Sequence, residues 1–589
     1  MFKGLWFFVK FGWKCEKRYI IYLVLNQFIN SLIPIVAVVM PRYIINELMD
    51  LKRPSYIFLY VGILIGYTLI GSLISNYLTW TSFTYRCRVG AEFDVFMHQK
   101  TVNADYADLE SSEYIEMKEK AKKFLFGNMN GFSYVLDVAV QTLGKIFTLL
   151  GIIAIIATLN LLLVLLFVSL VLVSSWIESK VRKKQIAMSL EIISIERRWM
   201  YYGELMDEFS YGKEIRINGI GDWLVNHERK FAKIANDSYA KSNALGIKSG
   251  AFGAIASFAQ QCISYAYLVV QVMGGAITIG DFSMYVGGVA AFSGAMRDVM
   301  SNIIEVSEFR KYYDAMEQYL NIPSKMRNNA KLPLPNGNHA IEFKNVSFRY
   351  TGQQYFALKN INIILIPGQK LSIVGENGAG KTTFVKLLCR IYDPAEGEIL
   401  LDGVNIMDID YDQYMSLFST VFQDFKLFSF SLKENVALSD SETSQDTDVE
   451  KALIKAGFGN KLESLLNGIN TNVYKNFDGK GFEPSGGEGQ KIALARALYK
   501  NAPIVVLDEP TAALDPRAEY EIYQHFNELI AGKTAIYISH RLSSARFCDK
   551  IAVFTNGEIV EYGTHQELLQ REGTYAQLFN MQAGFYSDK

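Results

Sequence analysis

Gly375-Glu376-Asn377-Gly378-Ala379-Gly380-Lys381-Thr382 fits the spacing G-x-x-x-x-G-K-[ST]. The glycines let successive backbone N–H groups turn inward around a polyphosphate, and a following helix would aim the positive end of its dipole at the same point. Lys381 brings a point charge to the outer phosphates and Thr382 a hydroxyl suited to Mg²⁺. A second pair of reactive groups is Asp508-Glu509, at the end of the apolar run 504–507. Alone, two acids after a strand are usually an exposed turn. With a phosphate loop upstream, a buried strand tip is where a metal-binding carboxylate belongs, and the next residue can reach an attacking water as general base. Ser485-Gly486-Gly487 opens the helical run 488–500, where a serine and free N–H groups suit an anion. By itself that is an ordinary helix cap.

These groups need a scaffold, and the surrounding residues describe one. Residues 370–374 form a short apolar strand before the loop, and 383–391 a helix after it, the order the motif requires. Ile341–Phe348 alternates with period two, and Tyr350 follows it. Further strands are expected at 361–365, 398–401, 504–507, 534–539 and 550–554, with Asn556-Gly557 turning the last into a hairpin. Before this α/β region the chain changes character. Residues 1–18 mix Trp6, Phe7, Phe8, Phe11 and Trp13 with five basic residues, a composition for a helix lying at a membrane interface. Spans are expected at 19–40 and 56–80. The uncharged run 146–176 would reach roughly 47 Å as one helix, too long for a single ordinary crossing, so it is divided near Asn160. The third span then begins around 131–134. The division also keeps the Lys/Arg-dense stretch 180–248 on the same, cytoplasmic side as 86–123. The fifth and sixth spans fall at 251–273 and 282–303. Transverse docking segments are expected at the tips of the two charged connections, near 105–113 and 214–222.

Polar residues within spans are Asn26, Gln27, Asn30, Gln141, Gln260, Gln261 and Arg297, for which helix-to-helix hydrogen bonding is the first reading and function the second. The small-residue run 287–295 marks close helix packing. A net charge of −1 gives no sign of nucleic-acid binding. Five scattered cysteines have no metal spacing, and no disulfide is expected. The N-terminus lacks a cleavable signal pattern. The expected architecture is multidomain. An interfacial helix (1–18) precedes an all-α transmembrane six-helix bundle with long cytoplasmic helical extensions (19–320). A linker (321–340) and an α/β P-loop ATPase domain (341–589) follow.

On these motifs the second half resembles the ATPase domain of the ABC transporter superfamily, and nearly the whole chain resembles an exporter-type half-transporter. The resemblance implies ATP and Mg²⁺ as ligands. It implies that Tyr350 stacks on adenine and that Gly375, Glu376, Asn377, Gly378, Ala379, Gly380, Lys381, Thr382 and Thr383 hold the phosphates. Gln423, in Val421-Phe422-Gln423-Asp424, would contact Mg²⁺ together with Thr382 and Asp508, and relay to the membrane domain. Ser485, Gly486, Gly487 and Glu488 would form the signature loop. Glu509 and His540 would be catalytic, His540 sensing the γ-phosphate, and Asp515 would lie across a dimer contact. The signature departs from the family's Leu-Ser-Gly-Gly-Gln: Pro484 restricts its entry, and Glu488 adds negative charge expected to slow turnover. The loop Asp478-Gly479-Lys480-Gly481 also departs, leaving Asp478 and Glu483 as candidates for the usual glutamate.

One phosphate loop and one signature cannot close a family-type site, so at least a dimer is implied, homodimer first and heterodimer second. The implied function is ATP-driven export of a peptide, lipid or amphipathic small molecule by alternating access, with an importer or an ATP-gated channel as alternatives. The implied location is the cell membrane, multi-pass, with the ATPase domain and both termini cytoplasmic. A soluble ABC ATPase acting on DNA or ribosomes is disfavoured by the spans and by the absence of excess basic charge. No leader-processing peptidase domain is expected ahead of spans that begin at Tyr19.

Overall fold

The computed structural model describes residues 2–50, 52–126, 132–328, 332–439, 444–509, 532–538 and 542–587. It divides into two compact units, Met1–Val102 with Ile115–Ile322, and Asn103–Tyr114 with Pro323–Lys589.

The first unit is helical. Helix α1 (Phe2–Cys15) is followed by α2 (Lys17–Met49) and α3 (Pro54–Val102). Past the short α4 (Tyr106–Leu109) come α5 (Ser112–Phe126), α6 (Phe132–Ala157), α7 (Leu161–Glu191) and α8 (Ile193–Asp207). The series ends with α9 (Gly212–Ile217), α10 (Gly221–Met273) and α11 (Ile279–Leu320). The expected break near Asn160 is present: α6 ends in a turn with Leu159 N–H donating to the Ile156 carbonyl at 3.0 Å, and α7 begins at Leu161. At 49 and 53 residues, α3 and α10 are far longer than a bilayer core of about 30 Å requires, as continuous helical extensions demand.

Among the described residues, five helices are long and apolar enough to cross a membrane, within α2, α3, α6, α7 and α10. The sixth expected span lies in α11 and is not among them. Its small and charged residues, with Arg297 and Asp298 adjacent, dilute the apolar run. Helix α2 packs on α3 and α6, α11 on α6 and α2, and α10 on α7 and α8. Polar side chains knit α2 to α3: Asn26 donates to Thr79 at 3.0 Å, and Ser75 donates to Asn26 and Asn30 at 2.8 and 2.9 Å. In the small-residue run, a Cβ on Gly288 would sit in ordinary van der Waals contact, 3.6 Å from Ile156 and 3.8 Å from Val38, so a small residue suits the close packing there without glycine being required.

Around the second expected docking segment, a single 3₁₀ turn at Phe209–Tyr211 leads into α9, which overlaps the start of 214–222. Within 105–113, the short helix α4 groups with the second unit. There Tyr106 meets Tyr392 edge-on with ring centroids 5.7 Å apart, and the Tyr392 hydroxyl donates to Glu110. Asp105 accepts from the Ser324 hydroxyl and the Lys325 N–H, both at 2.7 Å.

The rest of the second unit is built on two sheets. Strands β1 (Ile341–Phe348), β2 (Leu358–Leu365), β4 (Glu396–Leu401) and β5 (Val404–Asn405) form an antiparallel sheet in the order β2-β1-β4-β5. The other sheet contains β3 (Lys370–Gly375), β6 (Phe418–Val421), β7 (Ile504–Asp508), β8 (Thr534–Ile538), β9 (Lys550–Thr555) and β10 (Glu558–Gly563). Its order is β10-β9-β3-β8-β7-β6, parallel apart from the β9–β10 hairpin. Strand β7 is buried along its whole length, as a central parallel strand covered on both faces must be. In such sheets ligands sit beyond the carboxyl ends of the strands, and β3 and β7 both point their ends at the same crevice.

Candidate functional site

The register fixes where the chemistry gathers. Ile373 of β3 and Asp508 of β7 both pair with Ile538 of the intervening β8, so the acid sits one strand removed from the start of the phosphate loop. The loop's path needs glycine. Gly375 has φ +149° and a Cβ there would lie 2.3 Å from the Phe554 carbonyl. Gly380 has φ +101° and a Cβ would lie 2.7 Å from Leu358 Cδ2 and 2.9 Å from the Ala357 carbonyl. Both positions combine a left-handed backbone with close approach, which no L side chain tolerates cheaply. Glu376, Asn377 and Gly378 form the exposed rim, Ala379 is buried beneath it, and helix Lys381–Leu388 starts at the Gly380 cap.

Lys381 is 5% exposed and crosses the loop, donating to the carbonyls of Gly375 at 2.9 Å and Glu376 at 2.8 Å. Burial pushes its pKa below the ordinary lysine value, with Glu509 and Asp508 acting in the opposite sense. Thr383 is buried, and its Oγ1 lies 3.0 Å from the Tyr350 hydroxyl. The Tyr350 ring stands edge-on to Phe348 and Tyr392 at 5.0 and 5.5 Å.

Asp508 is 1% exposed, and neither carboxylate oxygen has a well-formed hydrogen bond among the described residues. Burial raises its pKa to about 6, although the nearby Thr382 hydroxyl lowers it. An orphaned buried carboxylate of this kind carries a desolvation cost that a hard cation would relieve. With the Thr382 hydroxyl beside it, the donor set fits a divalent metal bound through oxygen. Glu509 holds φ +50°, its N–H donates to the Ile538 carbonyl at 3.0 Å, and its Oε2 accepts from the Gln423 amide at 2.7 Å. A non-glycine residue in the left-handed region is strained backbone retained by its surroundings. Gln423, Asp508, Glu509, Lys381 and Thr382 are therefore brought to one crevice, with Tyr350 at its side.

The signature residues form their own structure. Ser485 caps helix Gly486–Lys500 in a capping box: its side chain accepts from the Glu488 N–H at 3.3 Å, and the Glu488 carboxylate accepts from the Ser485 N–H at 2.8 Å. Lys461 pairs with Glu488 at 3.0 Å. Burial acts to raise the Glu488 pKa, but the Ser485 hydrogen bonds and Lys461 hold it below the usual carboxylate range. The charge expected to face nucleotide is thus tied back and compensated locally. Lys461 carries no motif and gave no advance signal. Among the described residues, the polar contacts of Ser485 and Glu488 stay within this cap and Lys461, and none reaches residues 375–383. Asp515 and His540 lie outside the described residues. Asp478 accepts from the Lys480 N–H at 2.9 Å, ordering its own turn.

Glu488→Gln should preserve the cap, since glutamine at that position also reaches back, and should remove only a half-exposed ion pair. We expect a loss of no more than about 1 kcal/mol in denaturant unfolding and ATP turnover within about twofold of the parent. A tenfold rise in turnover would show that the charge acts on nucleotide after all.

Residues 358–512 match the protein family described as ABC transporter. The chain is 29% identical over 564 residues to the subtilin transport ATP-binding protein SpaT of Bacillus subtilis, covering 94% of this chain and 90% of that one. It is 27% identical over 580 residues to the nisin transport ATP-binding protein NisT of Lactococcus lactis subsp. lactis, covering 97% and 95%. An ATP-dependent lipid A-core flippase of Haemophilus ducreyi is 33% identical over 360 residues, 60% of each chain. The structure of a bacterial Atm1-family ABC exporter with ATP bound superposes with a TM-score of 0.84 at 21% identity, covering 96% of this chain and 98% of that one, and so shares the fold.

Proposed function

We propose that this chain, a member of the ABC transporter superfamily built as an exporter-type half-transporter, works as a dimer that couples ATP hydrolysis to export of a peptide, lipid or amphipathic molecule. The relatives named for subtilin and nisin transport favour a peptide, and the flippases a lipid. The carrying observation is that one chain holds a phosphate loop and a signature cap with no polar contact between them among the described residues. A second copy would bring its signature to this loop. Phe209 and Ile217, 91% and 84% exposed at the tip of the second long connection, support a docking role toward a second subunit. A homodimer is the first reading and a heterodimer the second.

In this reading α11 supplies the sixth span, and the ATPase domain and both termini lie in the cytoplasm. Gly375 to Thr383 cradle the phosphates, and Lys381 exchanges the two loop carbonyls for phosphate oxygens. Thr382, Asp508 and Gln423 hold Mg²⁺, which when bound neutralises charge between the outer phosphates. Glu509 takes the proton of the attacking water. The Gln423 amide, bonded to Glu509 at 2.7 Å, orients that base. Tyr350 meets the adenine, Ser485 to Gly487 of the second copy close over the γ-phosphate with Glu488 tied back in its own cap, and His540 and Asp515 complete the contact. ATP favours the closed dimer because only that state completes its shell of contacts. Closure turns the membrane cavity outward, and hydrolysis resets it.

A cysteine pair tests the closure. Asn377→Cys and Ser485→Cys, placed on separate tagged copies in nanodiscs, should form an intermolecular crosslink that rises when ATP is added. ATP binding without any crosslink between copies would remove the composite site.

A further inference from the structure

Within the first unit, α7 and α10, with Arg297 of α11, line a partly open cavity of about 380 Å³. Gly250 and Gly253 of α10 line it beside open space: a Cβ on either would meet nothing within 4 Å. Its wall is mixed. Leu170, Val171 and Val181 are apolar, whereas Glu178, Arg182 and Arg297 are charged. Gln260 also lines it, is 1% exposed, and its Nε2 has no acceptor among the described residues. Arg297 donates through Nε to the Ser293 carbonyl at 3.2 Å and forms no ion pair among the described residues. Gln260 stands thirteen residues from the end of α10 at Met273, roughly 20 Å into a hydrocarbon core of about 30 Å. At that depth a buried amide donor without an acceptor and an unpaired guanidinium are both costly, so a polar ligand would relieve them.

We propose that this cavity binds the oxyanion end, phosphate or carboxylate, of an amphipathic cargo. The inference rests on the transport reading above and names the chemistry that reading leaves open. Arg297, which has no ion pair among the described residues, brings positive charge to the wall. The planar donor fork of arginine matches phosphate and carboxylate geometry, and the Gln260 amide adds a directed donor. The apolar wall contributed by α7 accepts the first part of the hydrophobic tail. The volume suits a head group or a single terminal residue, not a whole peptide.

The test uses the full chain in nanodiscs of zwitterionic lipid, without nucleotide, and measures the affinity of probes that share one tail. Dodecyl phosphate represents a lipid-like source and N-dodecanoylglycine a peptide-like terminus. Dodecyltrimethylammonium and dodecyl maltoside are the controls. At least one anionic probe should bind about tenfold or more tightly than both controls, the worth of one charge-assisted hydrogen bond. Which anion binds better identifies the source. Arg297→Met should weaken that binding about tenfold. Gly253→Leu, which fills open space rather than removing a charge, should abolish it, and thermal midpoints of both variants reveal any failure to fold. Equal affinity for all four head groups, or unchanged binding in both variants, overturns the proposal. A negative result here would leave the ATP-driven cycle standing, since nucleotide enters neither arm. Loss of ATP dependence in transport would instead remove the cycle and leave this site.

Discussion

Glu509→Gln should retain nucleotide binding while ATP hydrolysis falls by about 10²–10⁴-fold, the usual contribution of a positioned general base. Glutamine keeps the side-chain length and an oxygen that can still accept from the Gln423 amide at the distance of 2.7 Å seen for the acid. The backbone strain at φ +50° is unchanged, because glutamine has the same Cβ. What disappears is the capacity to accept a proton from water. The substitution therefore separates positioning from proton transfer, and the ATP-loaded closed state should accumulate. Equilibrium binding of ATP and a phosphate-release assay, run on the same nanodisc preparation, check the two halves separately. Hydrolysis at the parent rate would remove Glu509 from the role of base. Loss of ATP binding would mean that the negative charge beside Lys381 organises the loop rather than the water.

How far these residues could be read in advance depends on whether their identity was forced locally. Gly375 and Gly380 were legible because a positive φ and a carbonyl or side chain within 3 Å leave no alternative residue type, so the motif is a direct image of backbone geometry. Ser485 and Glu488 were legible as a helix start for the same local reason, a capping box three residues wide. The Asn160 break was legible from length alone, since the bilayer sets a limit on one crossing.

What escaped was set by distant partners. The Lys461 pair that neutralises Glu488 joins segments with no shared motif. Strand β6 carries Ser419 and Thr420 in a four-residue run, too short and polar to show a period, and it becomes a strand because β7 pairs with it. The 3₁₀ turn at Phe209–Tyr211 ahead of α9 also escaped, because the charged amphipathic flanks show no proline before it. The grouping of Asn103–Tyr114 with the second unit comes from Tyr106 and Glu110 meeting Tyr392, an encounter between residues far apart in the chain.

Lys381→Ala should weaken ATP binding by about tenfold to a hundredfold, and the structure explains why the loss exceeds that of a surface lysine. The side chain is 5% exposed, and its ammonium already makes two directed bonds, at 2.9 and 2.8 Å, to loop carbonyls. Exchanging those carbonyls for phosphate oxygens keeps a buried cation satisfied while adding full charge on the partner, so binding gains without new ordering of the side chain. Alanine removes that charge and also the tie between the start of the loop and the helix that follows it. The two losses are separable. Lys381→Met fills the same apolar path without the charge, so it should restore thermal stability toward that of the parent yet leave ATP affinity low. Recovery of affinity by methionine would assign Lys381 to loop packing. Unchanged affinity in alanine would contradict the placement of phosphates in this loop altogether.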